Sequence, residues 1–404
     1  MPAESIALRY SNVRLMRDAA RARLPQAVFD FADGGAEDEW TLRRNEEAFR
    51  RWNFVSRPLE GVAIRDQSVE LFGHTLSSPV LIGPTGLAGL FWPRGEIAAA
   101  HAAEAASTVY CLSHGSVCSI EDLAAQHHGQ RWMQVFIYRD RGFTRELTQR
   151  AHDAGYQALV LTIDNQLLGK RERDLANGFS IPPRFSVRQW LAMAPKWRWA
   201  WSMRHELNTL TFGNYVRPGS RESLATLAGR MNSLLDPAMH WDDVADLRAQ
   251  WPGPLLLKGI LHPEDAKRAV ALGVDGLIVS NHGGRQLDGA YSALEALPAI
   301  VTTVENRIPI LIDGGIRRGS DVVKAIALGA RAVLIARPHL WGLTIAGEAG
   351  VAQVLAIYRT EIDRVMGLLG ARSLDALRQL DLLMPCTPAW TACNRAAGGD
   401  RPTD

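Results

Sequence analysis

Residues 276–288, GLIVSNHGGRQLD, set a histidine, two glycines and an arginine directly after an apolar run. The run has the composition of a strand buried on both faces. His282 can accept a proton, Gly283 and Gly284 permit a tight turn, and Arg285 can grip an anion. A base and an anion clamp therefore share one strand mouth. Lys258 follows PLLL in a second strand-like run, where a buried ammonium needs a carboxylate, a phosphate or an electron-rich ring beside it. Asp164 closes the run ALVLTID and is placed to orient the His282 imidazole and raise its pKa. Arg171, in GKRERD, can join Arg285 in holding a substrate carboxylate. The glycines of DGGIRRG (313–319), with Arg317 and Arg337, offer a phosphate cradle.

These residues must be positioned by a repeating framework. Eight short apolar segments recur: VLIGPTG (80–86), TVYCLSHG (108–115), RWMQVFIY (131–138), ALVLTID (158–164), PLLLKGI (254–260), GLIVSNHG (276–283), IPILIDGG (308–315) and AVLIARP (332–338). Most are separated by helical stretches rich in Ala, Glu and Arg, which predicts a (β/α)8 TIM barrel. A doubly wound sheet is the alternative, but no GxGxxG follows any strand. The chain reads as one domain over 1–404, with N-terminal helices in 1–60, the barrel in 80–380 and an insertion at 176–230 after the fourth strand. The strands end in Thr85-Gly86, Ser113, Gln134, Thr162 with Asp164, Lys258, Ser280 with His282, Asp313-Gly314-Gly315 and Arg337. Each of these has a structural reading, and a lone Ser, Thr or Asp at a strand end is more often a helix cap than a ligand. Eight strands delivering polar groups to one mouth is what points to a site.

Composition narrows the class. With 404 residues, 47% hydrophobic and 22% charged, the chain has the make-up of a soluble globular protein. A net charge of +2 gives no support to a nucleic-acid partner. Cys111, Cys118, Cys386 and Cys393 form no metal-ligand pattern and suit a reducing, cytoplasmic setting. No signal segment opens the chain, and no run of ~18 apolar residues is present to span a membrane. Within the insertion, residues 179–215 interleave Trp190, Trp197, Trp199 and Trp201 with Arg184, Arg188, Lys196, Arg198 and Arg204. Such a mixture suits peripheral contact with a membrane surface, on its cytoplasmic face. A lid or subunit contact with the tryptophans packed inward is the other reading.

SNHGGRQLD, LLLKG, DGGIRRGSDVVKAIALGA, IGPTGLAG, MQVF and LTID…GKRERD together resemble the FMN-dependent 2-hydroxy-acid dehydrogenase and oxidase family, which includes glycolate oxidase, lactate oxidase and mandelate dehydrogenase. The resemblance runs from LPQAVFDFADGGAEDEWTL (24–42) to the last barrel helix, and IGPTGLAGLFWPRGE with the long insertion looks most like the mandelate dehydrogenase branch. It implies FMN as cofactor and oxidation of an (S)-2-hydroxy acid, aryl or bulky, to the 2-oxo acid. Oxygen or a quinone would accept the electrons, and a homotetramer would be the assembly. By the same resemblance His282 is the base, Asp164 its partner, and Arg171 and Arg285 the carboxylate clamp. Lys258 would stand near flavin N1 and O2. Pro84, Thr85, Gly86, Ser113, Gln134, Thr162 and Ser280 would line the isoalloxazine, while Asp313, Gly315, Arg317 and Arg337 would hold the phosphate.

The sequence departs from that pattern at three positions. Phe31 and Phe136 stand where the family has tyrosines, and Ala336 stands where it has a glycine beside the phosphate. Each lost phenol hydroxyl removes roughly 1–3 kcal/mol of grip on a substrate oxygen. A bulkier or more apolar acid is one reading, and drift with the arginines still in charge is another. A flavin site turned to a peptide or natural-product intermediate is the rival activity. A catalytically idle flavin scaffold is a third, against which His282 and Asp164 speak.

Overall fold

The computed structural model describes residues 9–177, 196–206, 211–215, 235–379 and 382–385. Arg184, Arg188, Trp190, Cys386 and Cys393 lie outside the described residues.

The eight apolar segments become eight parallel strands: β1 (Val80–Ile82), β2 (Tyr110–Leu112), β3 (Arg131–Val135), β4 (Ala158–Thr162), β5 (Leu255–Ile260), β6 (Gly276–Val279), β7 (Ile310–Asp313) and β8 (Ala332–Ile335). They close in sequential order, β8 pairing with β1 through Ile335 and Ile82, so the (β/α)8 expectation holds. Every residue of β1, β2, β4 and β6 is buried, which explains why these runs are continuously apolar rather than alternating. The intervening helices are α1 (Gly95–Ala105), α2 (Ile120–Ala124), α3 (Arg141–Asp153), α4 (Trp241–Gln250), α5 (Pro263–Ala271), α6 (Ala293–Val304), α7 (Gly319–Ala327) and α8 (Arg337–Leu369).

Helix α8 is long and apolar enough to cross a membrane by length and composition, which sequence reading had not found. It is broken at Ala346 and Gly347, and 67% of its apolar window is buried in the protein, so packing against the barrel accounts for its composition.

Three helices, Val13–Arg23, Gln26–Asp33 and Trp40–Glu47, precede the barrel. They reach the rim that carries the site. Asp288 receives the backbone N–H of Thr41 (2.7 Å) and Trp40 (3.1 Å), and the side-chain amides of Asn45 and Asn281 exchange two hydrogen bonds of 2.9 and 2.8 Å. Gly315 has φ +78, and a Cβ there would lie 2.0 Å from the Asn45 carbonyl oxygen, so only glycine allows this approach.

The described parts of the insertion divide its two readings. In Trp197–Met203, Trp199 is buried and donates its indole N–H to the Leu90 carbonyl (3.0 Å). Trp197 and Trp201 are 62% and 66% exposed, with the guanidiniums of Arg198 and Arg204 over their rings. Residues 211–215 instead dock on the loop after β2, where the Asn214 side chain donates to the His114 carbonyl (3.1 Å) and Ser116 Oγ (3.0 Å).

Candidate active site

The strand ends open into a cavity of about 320 Å³. Its wall includes Pro84, Thr85, Gly86, Ser113, Gln134, Thr162, Lys258, Gly315, Arg317, Ala336 and Arg337, together with Phe31, Phe136, Arg171, His282 and Arg285. Residues spread over 300 positions are thus gathered as the sequence implied. Asp164 and Ser280 stand just behind this wall.

Strand β6 ends in a strained turn. His282, Gly283 and Gly284 all have positive φ (58, 65 and 72), a region that a histidine enters only when its surroundings enforce it. Enforcement comes from Ser280 Oγ, which accepts the His282 N–H (3.0 Å), and from Asn281, whose side chain accepts the Gly284 N–H (3.1 Å). The turn aims the imidazole at the cavity while Nδ1 meets Asp164 Oδ1 at 2.8 Å. An ionised carboxylate only accepts, so Nδ1 carries the proton and Nε2 presents a lone pair.

The sequence expectation that Asp164 would raise the His282 pKa is half correct. Burial is the largest influence and lowers it; Asp164 pushes the other way without overcoming it, and Lys258 and Arg171 add to the lowering. The result is a neutral base. For Asp164, burial favours the protonated acid, but His282 and Lys258 together hold it below the usual carboxylate range.

Lys258 finds its anion inside the protein: Nζ lies 3.0 Å from Asp313 Oδ2 and donates to Ser280 Oγ at 2.8 Å. Burial would lower the ammonium pKa, but Asp313 and Asp164 raise it, so Lys258 is charged. Two expected placements change as a consequence. Ser280 lies beneath the wall, bonding Lys258 and the His282 backbone, rather than on it. Asp313 is turned to Lys258 and, being negative, is a poor phosphate ligand; its buried Oδ1, without a partner among the described residues, suits a hydroxyl donor.

Arg337 is likewise largely committed, donating Nε to the Ala32 carbonyl and Nη2 to those of Gly34 and Gly283, which leaves Nη1. Arg317 pairs with Glu46 at 3.0 Å. Arg171 and Arg285 are less engaged. Neither has a carboxylate within ion-pair distance among the described residues, and the buried Arg171 Nε has no acceptor. Burial lowers the pKa of both, and in Arg285 the neighbouring Arg171 and Arg337 add to it. Arg285 also lies over the Phe31 ring and donates to the Gly34 carbonyl (2.9 Å). Asp174 offsets part of the two charges from beyond ion-pair distance. Two buried cations without a directly paired carboxylate, beside a neutral base, make a receptor for an anion bearing a transferable proton.

Sequence reading passed over several wall residues. His114, Tyr138, Phe212, Tyr215, Leu235 and Gln286 line the cavity, and Thr85 Oγ1 lies 3.1 Å from His339 Nε2. His114 carried a signal, a histidine one position past a strand-end serine. Phe212 and Tyr215 carried none, because the insertion has no periodicity to place them.

An eightfold barrel with a histidine–aspartate base and an arginine clamp at its C-terminal rim defines a class, and residues 20–383 match the FMN-dependent dehydrogenase family. The chain belongs to that family. It is 42% identical to an L-lactate dehydrogenase of Caulobacter vibrioides over 365 residues, covering 90% of this chain and 95% of that protein. It is also 42% identical to (S)-mandelate dehydrogenase of Pseudomonas putida over 368 residues, 91% of this chain and 92% of that one. Among solved structures, the monotopic membrane protein (S)-mandelate dehydrogenase superposes with a TM-score of 0.90 at 41% identity, covering 93% of this chain and 99% of that one. Mandelate oxidase with (S)-2-phenylpropionate gives 0.80 at 36% identity, over 93% and 99%.

The cavity fits the family's cofactor. Lys258 offers a charge for an electron-rich ring, Asp313 Oδ1 an acceptor for a hydroxyl chain, and Gly314–Gly315 with Arg317 and Arg337 Nη1 a cationic, glycine-lined end for a phosphate.

Proposed function

We propose that this chain oxidises an (S)-2-hydroxy acid with an aryl or otherwise bulky side chain to the 2-oxo acid. The observation that carries this reading is the juxtaposition of Arg171 and Arg285, neither directly paired with a carboxylate, with the neutral His282 imidazole held by Asp164, around one cavity. FMN, when bound, supplies the two-electron acceptance that the polypeptide lacks. Arg171 and Arg285 hold the carboxylate and set the substrate's orientation. His282 Nε2 takes the substrate proton, and Asp164 stabilises the resulting imidazolium without accepting that proton itself. Lys258 supplies positive charge where negative charge accumulates on the bound ring, and Asp313 holds it in place. Phe31, Phe136, Leu168, Phe212 and Leu235 line much of the remaining wall, which favours an apolar side chain over the methyl of lactate.

The test is anaerobic mixing of the yellow holoenzyme with lactate, glycolate, mandelate and longer-chain 2-hydroxy acids. Mandelate or another bulky acid should bleach the flavin fastest. Bleaching by none of them would favour the rival reading, in which the same flavin site acts on a peptide or natural-product intermediate.

We also infer peripheral attachment to a membrane surface through Trp197 and Trp201, with a quinone rather than oxygen as electron acceptor. The support is the pair of exposed indoles flanked by Arg198 and Arg204, an arrangement in which rings enter the interface and guanidiniums meet headgroups.

A further inference from the structure

His114 follows Ser113 at the end of β2 and lines the cavity, its ring centre 4.1 Å from that of Phe136. Its Nδ1 lies 2.6 Å from the Tyr215 hydroxyl and 2.9 Å from the Tyr138 hydroxyl, and the two hydroxyls are 2.5 Å apart. All three residues are buried, and neither hydroxyl has another partner among the described residues.

Proton bookkeeping within this triangle selects a tautomer. If Nδ1 accepts, one phenol donates to the ring and the second phenol donates to the first, so every proton is used. If Nδ1 carried the proton, it would donate to one phenol, and one phenol would donate to the other. A second hydroxyl proton would then be buried without an acceptor, which folded proteins avoid. The imidazole proton therefore sits on Nε2. That nitrogen has no partner among the described residues and keeps surface open to the cavity. Burial, with the charge of nearby His282 second, lowers the His114 pKa to about 3. The ring thus stays neutral after His282 has taken a proton.

We propose that His114 is a specificity-determining residue whose Nε2–H recognises an acceptor oxygen on the substrate's side chain, selecting aryl 2-hydroxy acids that carry such an oxygen on the ring. The proposal rests on the hydroxy-acid reading above. The carboxylate already has Arg171 and Arg285, and the wall around His114 is either apolar (Phe136, Phe212, Leu235) or has its hydroxyls engaged (Tyr138, Tyr215). Nε2–H is the donor left at that end. Tyr138 and Tyr215 are positioning residues that fix its tautomer, and Asn214 holds the backbone beneath it.

The experiment compares mandelate with its ring-hydroxylated and ring-methoxylated derivatives on the FMN-loaded full chain, by steady-state kinetics and anaerobic flavin reduction. The wild type should show a KM about five- to tenfold lower for a ring-oxygenated acid than for mandelate, the range of one neutral hydrogen bond. His114→Phe should erase that preference, with the KM for ring-oxygenated acids rising to that for mandelate, while FMN content and the flavin spectrum stay as in the wild type. A preference that survives His114→Phe overturns the proposal, and so does a shifted flavin spectrum, which would place the donor on the cofactor. Should His114→Phe not fold, Tyr138→Phe with Tyr215→Phe keeps the imidazole but frees its tautomer; the preference should then weaken, and an unchanged one is equally fatal. Wild-type flavin bleached equally by all these acids removes only the role of His114. Flavin bleached by none removes the hydroxy-acid reading, and this proposal with it.

Discussion

Lys258 and Asp313 stand 3.0 Å apart, on strands β5 and β7, with their side chains only 6% and 13% exposed. The ammonium that looked unaccountable in an apolar strand is thus compensated by the protein before any ligand arrives. Breaking such a pair on one side leaves a buried charge and costs about 3–5 kcal/mol. Asp313→Asn should lower the urea midpoint accordingly, while Lys258→Met with Asp313→Leu together should cost less than either single change. Equal additivity across that double-mutant cycle would show that the two charges do not interact.

The His282–Asp164 pair predicts a pH profile. His282 is a base held below its ordinary value of 6.5 by burial, so kcat/KM should lose activity only at pH values under that figure. Asp164→Asn removes the partner that pushes the value up and the acceptor that fixes the tautomer. The acid limb should then move to lower pH, with a plateau lower by orders of magnitude. His282→Ala should retain bound FMN and lose substrate-driven bleaching. An acid limb that moves upward in Asp164→Asn would contradict the assignment.

Acid stability has a definite sign as well. Burial holds His114 and His339 at about 3, whereas the unfolded chain takes up these protons near 6.5. Between those values the unfolded state binds more protons, so stability is greatest above 6.5 and falls as pH drops through the window. His114→Phe should flatten that fall, as read by denaturation midpoints across a pH series. An identical slope in the variant would mean that His114 is not buried neutral.

The clamp can be tested by charge. Arg285→Met should raise KM for the acid by a hundredfold or more, since a hydrogen-bonded charge pair across a binding site is worth about 2–5 kcal/mol. Phe31→Tyr, beside Arg285, should lower it by a few-fold if the added hydroxyl reaches the same carboxylate. A KM indifferent to Arg285 would remove it from substrate binding.

The proposed membrane attachment can be tested apart from catalysis. Trp197→Ser with Trp201→Ser should release the protein from sedimenting liposomes while leaving flavin reduction by substrate intact. Trp199→Ser, which deletes a buried side chain and its bond to Leu90, should instead destabilise the fold. Unchanged sedimentation in the double variant would place the contact elsewhere.

The barrel was legible because each strand carried an uninterrupted apolar run and ended in a polar or glycine-rich group, a local signal that needs no partner to be read. The positions of His282, Asp164 and Lys258 at the strand ends were legible for the same reason, whereas Arg171, beyond its strand, carried no such signal. What local signal could not supply was pairing. Asp313 reads as a phosphate ligand in DGGIRRG until Lys258 is seen 3.0 Å away. The His282 pKa reads as raised by Asp164 until burial is weighed against it. Tyr215 had no sequence signature, because only the docking of residues 211–215 through Asn214 brings it to His114.

The contact between Asn45 and Asn281 spans 236 positions of the chain, and Gly315 lies against the Asn45 backbone from farther still. Ribosomal synthesis produces the early partner long before the late ones exist. The strained turn that aims His282, and the glycine pair beside the phosphate end, gain their outer wall only once the chain is nearly complete. A cradle completed only by these late residues predicts that FMN is captured by finished chains rather than by nascent ones.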